Sequence, residues 1–110
     1  MVTLISQSLS QFDLHVRAIL GLPMPRITAY GPAASAVILA DRVSETLRYT
    51  GLADALARPG GEVDVRIFGK PTSRPDRRMG VVLARATAEA DARRIAAEAA
   101  AKVQILYEAD

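Results

Sequence analysis

The sequence predicts a single α+β domain, and three observations carry that reading. An amphipathic pattern at helical spacing lies near residues 10–20, an alanine-rich helical stretch runs from Thr87, and short β-branched runs lie between and beyond them. With 110 residues there is room for one core, because a chain of about this size buries roughly 60–70% of its extended surface. Two Phe, three Tyr and no Trp leave Val, Leu, Ile and Ala to fill that core. No internal repeat or linker divides the chain.

Taken in order, VTLI (2–5) is short, apolar and β-branched, and reads as a strand. Ser10 followed by Asp13 resembles a capping box, with Asp in place of Glu or Gln. Leu9, Phe12, Val16, Ile19 and Leu20 then recur at helical spacing, and Gly21 supplies the stop. Pro23 and Pro25 keep the following chain extended. ITAYGPAASAVILA (27–40) opens as a strand, turns at Gly31-Pro32, and continues as a strand over Ala34–Leu39 covered on both faces. The polar stretch 41–51 fits no single element. Thr50 caps a short helix carrying Leu52, Ala53, Leu56 and Ala57, closed by Pro59-Gly60-Gly61.

EVDVRIFG alternates cleanly, with Val63, Val65 and Ile67 on one face and Asp64, Arg66 and Phe68 on the other. A loop of about ten residues joins it to a second strand, MGVVLA (79–84). In the helix from Thr87, Glu89–Arg93 and Glu98–Lys102 are i,i+4 pairs in the favourable orientation. Ala92, Ile95, Ala99 and Lys102 share one side, with the Lys102 stem turned inward, and the small residues imply close approach to a sheet. Val103, Ile105 and Tyr107 alternate as a last, edge strand.

Composition excludes several classes of function. No cysteine is present, which rules out disulfides, a thiol nucleophile and a thiolate metal site. His15 has no second ligand at metal spacing, so it reads as a surface or structural residue, or as a polar contact at a domain boundary. No apolar run approaches the roughly 20 residues that span a bilayer. The first residues lack the basic start of a signal peptide, so a cytoplasmic protein is expected. Twelve of the fourteen basic residues are Arg, at a net charge of +2. Acidic residues are interspersed among them without a broad basic face bearing aromatics, so no nucleic-acid partner is expected.

Base-composition bias can enrich arginine throughout a chain, but it does not crowd three into positions 74–78. The stretch FGKPTSRPDRRMG (68–80) delivers Lys70, Arg74, Arg77 and Arg78 to one sheet edge. Gly69 permits an unusual φ or a close approach, and Pro71 biases Lys70 towards an extended conformation. Such donors suit a phosphate dianion through charge-assisted hydrogen bonds. The plainer reading is a solvated loop with Asp76 as local partner, and the residues alone leave both open. The sequence holds no phosphate-binding GxxxxGK[ST] motif, acid–base pair or activated nucleophile, so the loop reads as binding apparatus.

Three strings, LHVRAILGLP, YGPAASAVILA and FGKP followed by RRMGV, resemble the C-terminal part of formate-dependent phosphoribosylglycinamide formyltransferases of the ATP-grasp superfamily. The resemblance covers nearly the whole chain and weakens over 41–60 and in the alanine-rich helix. It implies a β-rich, barrel-sandwich-like C-terminal domain with accessory helices over 27–110. Residues 1–22 then form the terminal strand and helix of the ATP-grasp domain. It further implies that Lys70, Arg77 and Arg78 contact the phosphoribosyl part of glycinamide ribonucleotide; Arg74 is outside the family pattern.

In such an enzyme ATP and Mg2+ activate formate as formyl phosphate, which the glycinamide amine attacks. The residues that hold ATP and Mg2+ precede the matched region, so no cofactor, metal or catalytic residue is expected on this chain. By this resemblance it is a fragment, inactive alone, that completes its site with an ATP-grasp part in cis or trans and forms a homodimer. Two rival readings stand beside it. One is a non-enzymatic module for self-association or for docking to a separate ATP-binding chain. The other is the related carboxylase or synthetase branch, against which FGKP followed by RR argues.

Overall fold

The computed structural model describes residues 1–57 and 62–107. Nine elements run in the order α1 (Thr3–Ser6), α2 (Gln11–Leu20), β1 (Ala33–Leu39), β2 (Leu47–Thr50), α3 (Leu52–Leu56), β3 (Glu62–Ile67), β4 (Arg78–Arg85), α4 (Glu89–Lys102) and β5 (Gln104–Tyr107). β1, β4 and β3 form an antiparallel sheet in that order, and β2 pairs with β5 in a second, two-stranded antiparallel sheet. The architecture is α+β, as the residue patterns predict.

The three-stranded sheet is organised by the period-2 alternation of its strands. Val82 and Ala84 of β4, with Ala34, Ala36 and Ile38 of β1 and Val63, Val65 and Ile67 of β3, meet α4. The helix contributes Ala92, Ile95, Ala96 and Ala99, all buried. Alanine on both sides lets helix and strands approach closely, which is how a chain poor in aromatics fills a core. On the opposite face Val81 and Leu83 pack against Ile5 of α1, with Leu4, Ala33 and Phe68 around them. Lys102, expected to lay its stem inward, is exposed. Along α4 Glu89 pairs with Arg93 at 3.7 Å, whereas Glu98 is reached by Arg94 at 3.8 Å.

Four local expectations need correction. Residues 2–5 do not form a strand: Thr3–Ser6 is one helical turn, with Ile5 buried against β4. Four residues with one buried side chain have no neighbouring strand to pair with, so packing overrides β propensity. The strand expected from residue 27 is reduced to an isolated bridge between Ala29 and Gln7. Thr50 belongs to β2 rather than capping α3. The cap is Gly51, at φ 82° and with no side-chain cap bond. The helix expected from Thr87 begins at Glu89, with Ala88 as N-cap. The stop assigned to Pro59, Gly60 and Gly61 lies outside the described residues.

α2 forms as expected. The Ser10 hydroxyl accepts from Asp13 N at 3.1 Å, and Gly21 closes the helix at φ 68°. None of its residues is buried, and its apolar stripe stays exposed: Phe12 is 51% accessible, Val16 53% and Ile19 70%. The excursion from residue 9 to 27 is held at its base. Ser8 N donates to Thr28 O at 2.9 Å, and Tyr30 N donates to Ser6 O at 2.8 Å. Arg85 completes the base, donating to Ile5 O at 2.6 Å and to Glu62 while its guanidinium lies 4.8 Å from the Tyr30 ring centroid.

Burial sets the expected response to truncation. Leu83→Ala leaves a void between β4 and α1 and should cost about 2–5 kcal/mol, whereas Ile19→Ala on the exposed stripe should change stability by under about 0.5 kcal/mol. Urea unfolding of the two variants checks this, and equal losses would place α2 in the core. Glycine provides a second test. At Gly21 a Cβ meets nothing within 4 Å, so Gly21→Ala should cost only the left-handed strain of about 1–2 kcal/mol. At Gly51 a Cβ would stand 1.8 Å from Lys102 O as well. The end of α4 must then move, and Gly51→Ala should lower the thermal midpoint clearly further than Gly21→Ala.

Candidate phosphate-binding site

The basic stretch forms the loop 68–77 and the first residue of β4. Gly69 turns the chain at φ 70° where a Cβ would meet nothing within 4 Å, so the left-handed backbone, and not crowding, calls for glycine. After that turn Lys70 crosses the mouth of the loop. Its Nζ donates to Arg78 O at 2.6 Å and lies 5.5 Å from the Phe68 ring centroid. A protonated amine with one donor so committed keeps two more for a ligand.

Arg77 and Arg78 point apart. Arg77 is half-buried and donates through Nη1 to Thr72 O at 3.1 Å and Thr72 Oγ1 at 2.9 Å, bracing the loop from inside. Arg78 is exposed, and no carboxylate lies within 4 Å of its guanidinium among the described residues. Asp76, the expected local partner, makes no ion pair with the loop's arginines among the described residues. It sits at φ 66° and donates its N–H to Ala40 O at 2.8 Å, a left-handed conformation that Asp tolerates better than most residues.

Lys70 and Arg78 line one cavity of about 310 Å3 together with Met1, Ser35, Val37, Phe68 and Val81. Arg74 and Arg77 are not among its lining residues. A β-bulge brings Arg78 there. Ile38 pairs with Gly80 and Leu39 with Arg78, so Met79 is the extra residue of β4. Strict alternation back from Val81 would send Arg78 to the α4 side. The bulge resets the phase, and Arg78 shares the cavity with Val81 and Val37. Gly80 permits the tight pairing, since a Cβ there would stand 2.7 Å from Arg66 O. Reading the sequence missed Ser35, Val37 and Val81 as cavity residues and missed the bulge; glycine inside a strand was the one available signal for it.

A second cavity, of about 350 Å3, lies between β1, β5 and the end of α4. Its charges are already paired. Arg42 Nε donates to Asp41 at 2.8 Å, and its guanidinium stacks 4.6 Å from the Tyr107 ring centroid. The hydrogen bond from Arg42 holds the Asp41 carboxyl below its ordinary range. Arg42 is thus paired and stacked, whereas Arg78 has no carboxylate within 4 Å among the described residues. Among the described residues no group of three His, Asp or Glu side chains could hold a metal ion. His15 lies exposed on α2. Among the described residues no helix is long and apolar enough to cross a membrane.

Comparison with known proteins places this geometry. The formate-dependent phosphoribosylglycinamide formyltransferase of Trichormus variabilis is 58% identical over 105 residues, 96% of this chain and 26% of the relative. That of Synechocystis sp. is 58% identical over 108 residues, covering 98% and 27%. The N5-carboxyaminoimidazole ribonucleotide synthetase of Thermotoga maritima superposes with a TM-score of 0.83 at 28% identity, covering 96% of this chain and 29% of that one. The chain spans about a quarter of the length of the curated relatives it matches. A family profile described as "PurT, C-terminal" matches residues 33–103, which takes in all of β1–β4 and α4 with the loop between β3 and β4. The chain belongs to this family, the C-terminal domains of the PurT branch of the ATP-grasp superfamily.

Proposed function

We propose that this chain is the substrate-phosphate-binding part of an ATP-grasp formyltransferase acting on glycinamide ribonucleotide with formate and ATP. One observation carries the reading: Lys70 and Arg78 converge on one cavity, and Arg78 brings a charge that no carboxylate among the described residues neutralises. The names of the relatives supply the reaction. Arg78 is the main anion donor and Lys70 the second, while Arg77, outside the cavity lining, supports them by bracing Thr72 through its Nη1. None of the three takes part in bond making. They hold the phosphate end of the substrate while the amine end is presented elsewhere, so their binding energy acts through orientation. Formyl transfer from formyl phosphate to the glycinamide amine, with Mg2+ and ATP, is work for residues outside these 110. Residues 1–22 are on this reading the last part of an ATP-grasp domain, and 27–110 the substrate-binding domain.

A second reading rests on α2. Its exposed Phe12, Val16 and Ile19 form an apolar stripe of the kind that seeks cover, suiting docking to an ATP-grasp part in cis or trans, or homodimer formation. The two readings are compatible, since a docked chain also presents the cavity.

The isolated chain is expected to bind ribose 5-phosphate weakly at low salt, with amide shifts in an NMR titration centred on Lys70 and Arg78. Arg78→Ala removes charge-assisted contacts of about 1.5–3 kcal/mol and should weaken binding roughly tenfold or more. Lys70→Ala and Arg77→Ala should weaken it too, and Arg74→Ala should do so least. Equal effects from Arg74→Ala and Arg78→Ala would reduce the loop to a generic basic surface. In a formylation assay with glycinamide ribonucleotide, formate and Mg-ATP the chain alone should give no turnover; turnover that disappears in Lys70→Ala would overturn the assignment of the chemistry to other residues.

A further inference from the structure

We infer that Ser73 is a positioning residue for the phosphate site, the pin that fixes the loop 68–77 to the segment 40–44; this rests on reading Lys70 and Arg78 as phosphate donors. In the sequence Ser73 looks like one more solvated residue of a polar loop, between Thr72 and Arg74. In the structure it is 3% accessible, the buried polar residue of a core otherwise made of apolar side chains among the described residues. Its hydroxyl donates to Arg42 O at 2.8 Å. Its backbone exchanges two hydrogen bonds with Ser44, Ser73 N to Ser44 O at 2.9 Å and Ser44 N to Ser73 O at 3.4 Å.

Farther along the loop, Asp76 N donates to Ala40 O at 2.8 Å and Ala40 N to Arg77 O at 3.0 Å. Segment 40–44 therefore grips the loop at two places, and Ser73 makes one of them with both backbone and side chain. Between the grips the chain reverses through Arg77 N to Arg74 O at 3.1 Å. On the other side of Ser73 comes Thr72, which receives Arg77 Nη1, and then the run back to Lys70, whose Nζ must reach Arg78 O. The separation of the two phosphate donors is thus set by where position 73 is held. A phosphate contact depends on donors placed within about 0.5 Å, and a loop held by backbone bonds at an exposed edge does not have that precision without a buried anchor. Without its hydroxyl, Arg42 O loses its donor at a part-buried position and the nearer grip loosens.

Ser73→Ala tests this while leaving the apolar core untouched, with a core variant on the α4 side of the sheet, Ile95→Val, as the control for lost stability. Two readouts are taken: hydrogen exchange at the Ser73 and Ser44 amides, and the dissociation constant for ribose 5-phosphate at low salt. The expected result for Ser73→Ala is at least tenfold faster exchange at those amides and at least fivefold weaker binding. Ile95→Val should bind within twofold of the parent. Unchanged exchange, or unchanged binding, in Ser73→Ala would overturn the pin, and so would equal weakening in Ile95→Val. If the parent chain does not bind ribose 5-phosphate at all, the phosphate reading itself fails, and the exchange arm still decides whether Ser73 fixes the loop.

Discussion

The placing of β1, β3, α1 and α4 rests on the burial of β4. Met79, Val82, Leu83 and Ala84 are 0% accessible and Val81 3%, because the strand has β1 and β3 on its edges, α4 over one face and α1 over the other. A strand enclosed on all sides can carry no charge along its middle, and its sequence from Met79 to Ala84 has none. The charges stand at its ends, Arg78 entering and Arg85 leaving. The strand thereby fixes two guanidinium groups at opposite edges of the sheet, and the environment at each end decides what each does.

At the far end Arg85 is used up by the protein. Glu62, Ile5 O and the face of Tyr30 surround it, so its role is to tie the N-terminal segment to the sheet. At the near end the bulge at Met79 turns Arg78 away from the helix, Lys70 takes its carbonyl, and its guanidinium has no carboxylate partner among the described residues. The same chemistry therefore makes a structural clamp at one end and, on the proposed reading, an open anion donor at the other. Arg42 follows the first pattern, neutralised by Asp41 and stacked on Tyr107. Arg78, by contrast, lines a cavity with no carboxylate within 4 Å of its guanidinium among the described residues. An exposed guanidinium of this kind adds little to stability, which fits a residue retained for binding.

Much of this could be read from the residues, for physical reasons that differ by element. β3 and β4 are legible because alternation and uninterrupted apolar runs report burial directly. The same holds for α4, where alanine marks close packing, and for α2, where Ser10 and Gly21 mark the ends. What escaped depends on contacts far apart in sequence. Thr3–Ser6 is helical because Ile5 lands on Leu83, and Gly51 caps α3 because Lys102 O leaves no room for a Cβ. Loop 68–80 was legible in composition but not in geometry. Lysine and arginine counts singled out the loop, whereas which arginine faces the cavity follows from a one-residue bulge that Gly80 inside the strand alone hints at. Ser73 was invisible for the same reason, since its burial comes from a segment some thirty residues earlier.

The cavity is also not a property of the loop alone. Met1 lines it together with Lys70 and Arg78, and Met1 is held there by α1, which is seated by Ile5 on β4 and tied by Arg85 through the Ile5 carbonyl. One wall of the candidate site thus comes from the segment that precedes α2 and the other from the β3–β4 loop. Whatever orients α2 in a longer polypeptide therefore acts on a segment that also walls the cavity. A partner seated on the exposed Phe12–Val16–Ile19 stripe would pull on the base at Ser8–Thr28 and Ser6–Tyr30, and through that base on α1 and Met1. On the proposed reading, docking of the N-terminal helix and shaping of the cavity are coupled through the Arg85 clamp, so the cavity at one end of β4 leans on an ion pair at the other.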